Sequence, residues 1–126
     1  MVAASSMLYV SPTGSDEYDG RTPSTAVQTL TRATSLLKPN DRIIVQSASY
    51  FLETSLVINV RGTSWFSRGG QVSISGGKRI NEWTESSSPV TNSSLVVYQA
   101  DVTSFNLSAA TRHLFVNGRR AARARL

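Results

Sequence analysis

Three carboxylates stand almost side by side near the start of the chain, at Asp16, Glu17 and Asp19. An oxygen-rich loop of this kind suits a hard cation, and a pair of carboxylates suits acid–base work on a glycosidic bond. The run lacks the full spacing of a calcium loop, however, and Gly14 and Gly20 bracket it. Such brackets mark a tight turn in which aspartate oxygens accept backbone N–H groups. The expectation is therefore a scaffolding loop, with no metal, no cofactor and no catalytic residue assigned. His113 is the only histidine, and no Gly-x-Ser-x-Gly elbow accompanies it. Trp65, Phe66, Trp83 and Tyr98 remain as rings able to stack on sugars, in competition with core packing. Trp65 sits between the turns at Arg61-Gly62-Thr63 and Arg68-Gly69-Gly70, and it is the candidate substrate-binding residue.

These residues need elements to position them. Leu8-Tyr9-Val10 reads as a strand that enters the acidic loop. A helix is expected within residues 25–37, because Ala26, Leu30, Ala33 and Leu37 follow 4, 3, 4 spacing and line one face. Thr25 with Gln28 has the form of a capping box, and Thr29 is an equally good cap for a shorter helix. Its threonines make it a weak helix alone, so it must dock Leu30, Ala33 and Leu37 on the first strands, including Ile44. Pro39 stops it, Asn40 suits a left-handed turn position, and Asp41 can bond nearby backbone. Short strands are then expected over residues 43–46, 56–60, 72–75, 95–102 and 114–116, with a loop across 86–94. Asn117-Gly118 is the strongest hairpin signal, since Asn-Gly supports the positive φ angles of a type I′ turn.

The bulk properties narrow the class. At 126 residues, with 40% hydrophobic and 17% charged side chains, the chain fits one modest globular domain. Its net charge of +5 lies wholly in Arg112, Arg119, Arg120, Arg123 and Arg125, because residues 1–111 balance eight basic against eight acidic side chains. Without a nucleic-acid motif or interleaved aromatics, that cluster does not indicate nucleic-acid binding. The absence of cysteine rules out disulfides and thiolate metal sites. Residues 1–7 lack the apolar run of a signal peptide and are expected to be a disordered leader, and no apolar stretch has membrane-spanning length.

Taken in order, the segments resemble the N-terminal part of right-handed parallel β-helix, pectin lyase-like carbohydrate-active proteins. The likeness is to glycoside hydrolases of the α-1,3-galactosidase kind, and polysaccharide lyases share the opening. It rests on residues 9–16 with Asp19-Gly20, Thr29-Leu30 with Ala33, and residues 41–45 with Tyr50. It continues through Ile74-Ser75-Gly76-Gly77-Lys78-Arg79-Ile80 with Trp83 and through residues 114–120. Two positions depart: Asn40 stands where the family has glycine, and Ala48-Ser49 where it often has one before the Tyr50 position. The family's catalytic carboxylates belong to later coils, and none carries over.

The resemblance implies a mainly β fold, with a short capping α-helix and first coil over 8–60. Later strands and the Asn-Gly hairpin follow over 61–126, the hairpin calling for an inserted antiparallel subdomain. It places Trp83 beside Gly76-Gly77 as a packing residue. It further implies the N-terminal segment of an extracellular glycoside hydrolase-like protein, with a carbohydrate partner, no nucleic acid, no membrane and no complete active site. The alternative is a stand-alone carbohydrate-binding or structural module without catalysis. An uncapped end of such a stack is expected to self-associate weakly.

Overall fold

The computed structural model describes residues 5–86, 96–106 and 113–122. The protein is mainly β, and it divides into two units, Met1–Arg79 and Ile80–Leu126. Among the described residues no helix is long and apolar enough to cross a membrane.

The first unit is built on parallel pairing. Strands β1 (Met7–Val10), β2 (Arg42–Gln46) and β4 (Ser64–Arg68) form one sheet in the order β1-β2-β4. Strands β3 (Ser49–Phe51) and β5 (Ser73–Ser75) form a second, also parallel. The chain thus lays down β2 and β3 in succession, and then β4 beside β2 and β5 beside β3. Register aligns Leu8 with Ile43 and Trp65 on the core face, and Tyr9 with Ile44 and Phe66 on the opposite face. The alternation follows from the two-residue period of a strand. Leu8, Val10, Val27, Leu30, Ala33, Ile43, Val45 and Tyr50 make the core.

Several expectations are corrected here. The helix is split: a 3-10 turn spans Pro23–Thr25, and helix α1 spans Leu30–Ser35 only. Residues between them are extended because Val27 bridges Val10 and exchanges hydrogen bonds with Tyr9 and Ser11. Sheet bonding therefore overrides the helical spacing that begins at Ala26. Thr29 caps the shorter helix, its hydroxyl accepting from Arg32 N–H, while the capping box belongs to Thr22 and Thr25. Leu30 and Ala33 are buried as expected and Leu37 packs against the core, but the β2 residues in that core are Ile43 and Val45, and Ile44 faces the other way.

The apolar run 56–60 forms no strand, because Ser64–Arg68 takes the place beside β2. Strand β3 around Tyr50 and strand β4 around Trp65 were not expected. Ser6 and Met7, expected in a leader, are instead structured, since β1 begins at Met7 and Ser6 C=O accepts from Arg42 N–H; residues 1–4 lie outside the described residues. Asn40 takes the left-handed conformation (φ 67°), whereas Ala48 and Ser49 do not, so the turn before Tyr50 is made without positive φ.

In the second unit, β6 (Thr84–Glu85) pairs antiparallel with β7 (Tyr98–Gln99), which is all that forms of the strand expected over 95–102. Strands β8 (Phe115–Val116) and β9 (Arg119–Arg120) make the Asn-Gly hairpin, with φ 50° at Asn117 and 76° at Gly118. Most of the loop expected over 86–94, together with Leu95, Arg112, Arg123 and Arg125, lies outside the described residues. Trp83 is 43% exposed, and its indole N–H donates to Ile80 C=O, so it is no core residue.

Candidate functional site

The acidic loop folds onto the helix start. Asp16 Oδ1 accepts from the amides of Gln28 and Thr29, each at 2.8 Å, and Oδ2 accepts from Thr29 Oγ1 at 2.7 Å. Burial alone would raise this carboxyl, but the Thr29 hydroxyl, the two amides and the charge of Arg32 hold it below its ordinary value. Asp19 accepts from Arg21 N–H and from Thr25 Oγ1, and these two bonds keep it ionised to lower pH. Glu17 is exposed. The aspartates therefore serve backbone and hydroxyl groups, as a scaffold does. Two glycines make the loop fit: a Cβ on Gly14 would collide with the carbonyls of Ala26 and Val27. One on Gly20, at φ 68°, would stand 2.6 Å from Leu8 Cδ1.

A second cluster joins residues far apart in the sequence. Asp41 is 1% exposed at its side chain, and it takes an ion pair from Arg21 Nη1 at 3.0 Å. Lys38 N–H and Ser6 Oγ also donate to it. Arg21 Nη2 reaches on to Leu36 C=O at 2.8 Å, closing the C-terminal end of α1. Burial pushes the Asp41 carboxyl up, and Ser6, the Lys38 amide and Arg21 together outweigh that effect, leaving it below the ordinary value. This cluster fixes the chain start, the loop and the helix to one another. Sequence reasoning found its Asp41–backbone bond and missed Arg21, whose partner is set only by folding.

Two hollows of this unit lie elsewhere, one of them beside Gln46, Ser47, Arg68 and Gly69. A groove of about 470 Å³ runs between Pro12 with residues 28–31 on one side and residues 49–54 on the other. Its lining includes Gln28, Thr31, Phe51, Glu53 and Thr54. Phe51 is 45% exposed, with the Arg79 guanidinium 6.0 Å over its ring centroid, within reach of a cation–π contact. The groove floor is firm, because Tyr50 is buried and its hydroxyl donates to Gln46 C=O at 2.9 Å. An aromatic ring among amide, hydroxyl and carboxyl groups can hold a sugar by stacking and hydrogen bonding. Glu53 is the one carboxylate on the lining, whereas glycoside hydrolysis ordinarily employs two.

Among the residues singled out by sequence, Trp65 lies on β4, half-buried against the core, with its indole N–H buried and without a hydrogen-bond partner among the described residues. Phe66 and Tyr98 are exposed, as is His113, which stands ahead of β8. The structure brings none of these into the groove. No group of three metal-ligating side chains occurs among the described residues. Comparison with models of known protein families, with curated proteins and with solved structures finds no match to this chain.

Proposed function

We propose that the chain is the N-terminal portion of a right-handed parallel β-helix, belonging to an extracellular carbohydrate-active protein of the glycoside hydrolase kind. In this reading residues 8–79 are the capped first coils, and their own contribution is to hold a saccharide rather than to cleave it. The succession of β2–β3 and β4–β5 in parallel register supports the coil reading, because stacked coils repeat their strands in that order. The Gly20–Val27 segment bonds along the outer edge of β1, as a cap would.

One observation carries the functional part: the half-exposed Phe51 lines the groove together with Glu53, Gln28 and Thr31. Its single carboxylate favours retention of a sugar over acid–base chemistry on one. Calorimetric titration of the full chain with galactoside, glucan and uronate oligosaccharides tests the proposal. Binding of at least one class is expected, weakened at least about tenfold by Phe51→Ala, as the loss of a stacking ring implies. No binding to any class, or binding indifferent to both Phe51→Ala and Glu53→Gln, would overturn it.

A further inference from the structure

Of the six asparagines in the chain, only Asn117 is followed by glycine. That pair sets up a reaction within the chain. The backbone nitrogen of the following residue can attack an asparagine side-chain carbon, and glycine, lacking Cβ, leaves its nitrogen least shielded. Both reacting groups are unengaged here. Residues 113–122 are all exposed. Neither the Asn117 amide nor Gly118 N–H has a hydrogen-bond partner among the described residues. A Cβ on Gly118 would meet nothing within 4 Å, so the space around the turn is open.

The turn itself holds the reaction back. Asn117 (φ 50°) and Gly118 (φ 76°) lie in the left-handed region, where ψ is positive as well. There the nitrogen of the next residue points away from the side chain, so ring closure requires the hairpin to open. Its ladder is short: Phe115 pairs with Arg120, Val116 with Arg119, and Ala121 N–H donates to Leu114 C=O. A two-stranded ladder without a buried side chain is marginal and opens readily.

We infer that Asn117 is a site of spontaneous deamidation, released as the hairpin opens, whose isoaspartyl product keeps the hairpin from re-forming. Gly118 N bonds to Asn117 Cγ, the Cγ–Nδ2 bond breaks, and the Gly118 amide proton leaves with Nδ2 as ammonia. Water then opens the succinimide. Cleavage between Gly118 N and Cγ gives aspartate, and cleavage between Gly118 N and the backbone carbonyl carbon gives isoaspartate, whose main chain runs through Cγ. Asp-Gly suits the same turn. Isoaspartate instead adds a methylene to the main chain of a two-residue loop and spoils the register of β8 on β9. Either product places a new carboxylate close to Arg119 and Arg120.

The test holds the full chain in mildly alkaline buffer at physiological temperature. Trypsin cleavage after Arg112 and Arg119 then releases residues 113–119 for mass spectrometry. This peptide should gain the mass of one NH-to-O exchange an order of magnitude faster than the peptides carrying Asn40 or Asn59. The same chain in urea should react faster still at Asn117, because the hairpin is then open. Gly118→Ala should slow the reaction even though it strains the turn, which separates access to the nitrogen from loss of the hairpin. NMR contacts between Val116 and Arg119 should disappear in the isoaspartyl chain and persist in Asn117→Asp. An Asn117 no faster than Asn40 and Asn59 in buffer would overturn the inference. Equal rates in buffer and urea would overturn the gating by the hairpin, and cross-strand contacts that survive in the isoaspartyl chain would overturn its final step.

Discussion

Replacing Arg21 by methionine removes one charge from the Asp41 cluster while keeping most of the side-chain bulk. Asp41 has 1% of its side chain exposed and Arg21 has 25%, so the carboxylate is left in a dry site with its counter-charge gone. Breaking a buried ion pair in this way costs roughly 3–5 kcal/mol. Two features bring the figure down here: Asp41 keeps the Lys38 amide and the Ser6 hydroxyl, and Arg21 is partly solvated. The loss of the bond to Leu36 C=O adds to it. The expected loss is about 2–3 kcal/mol at pH 7, a large share of the total stability of a small domain.

Urea melts followed by circular dichroism measure this loss. Because Asp41 is held below its ordinary value of 3.8 in the folded protein, its stabilisation is present above that pH and fades as pH falls through the folded value. The gap between Arg21→Met and the parent should therefore narrow in strong acid. Adding Asp41→Asn to Arg21→Met should restore part of the loss, since no uncompensated charge is then buried. A loss at pH 7 below about 0.5 kcal/mol, the range of ordinary surface substitutions, would refute the reasoning.

Leu30→Ala empties a fully buried position in the core and should cost on the order of 2–5 kcal/mol in the same melts. Thr29→Ala deletes both the α1 cap and the hydroxyl bound to Asp16, so it should cost about 1–2 kcal/mol and raise the Asp16 carboxyl, seen by carboxyl NMR titration. Screening residues 1–126 against galactosides, uronate polymers and aryl glycosides should give no turnover. Turnover abolished by Glu53→Gln would assign that carboxyl a catalytic role instead.

What the sequence made legible was local. Asn117-Gly118 and Asn40 carry their conformations in their own side chains, and the hairpin and the left-handed turn appear where they were expected. The scaffolding role of Asp16 and Asp19 was legible for the same reason, since glycines bracket a short acidic run. Strand β4 was not legible, because Ser64-Trp65-Phe66-Ser67-Arg68 has no long apolar run and lies between glycine turns. Its extended state comes from the ladder to β2. The split of the expected helix had the same origin, as Val27 is claimed by Val10 and Tyr9 from another segment. The groove stayed hidden because Gln28 and Phe51 come to line one surface only after the chain has turned through β2 and β3.

The groove of the first unit is proposed as a saccharide site. Amide chemical shifts of the labelled full chain, followed while a bound oligosaccharide is added, test that claim directly. Perturbations should concentrate at residues 28–31 and 49–54, with the largest beside Phe51 and Glu53. Shifts that saturate elsewhere while this groove stays silent would contradict it.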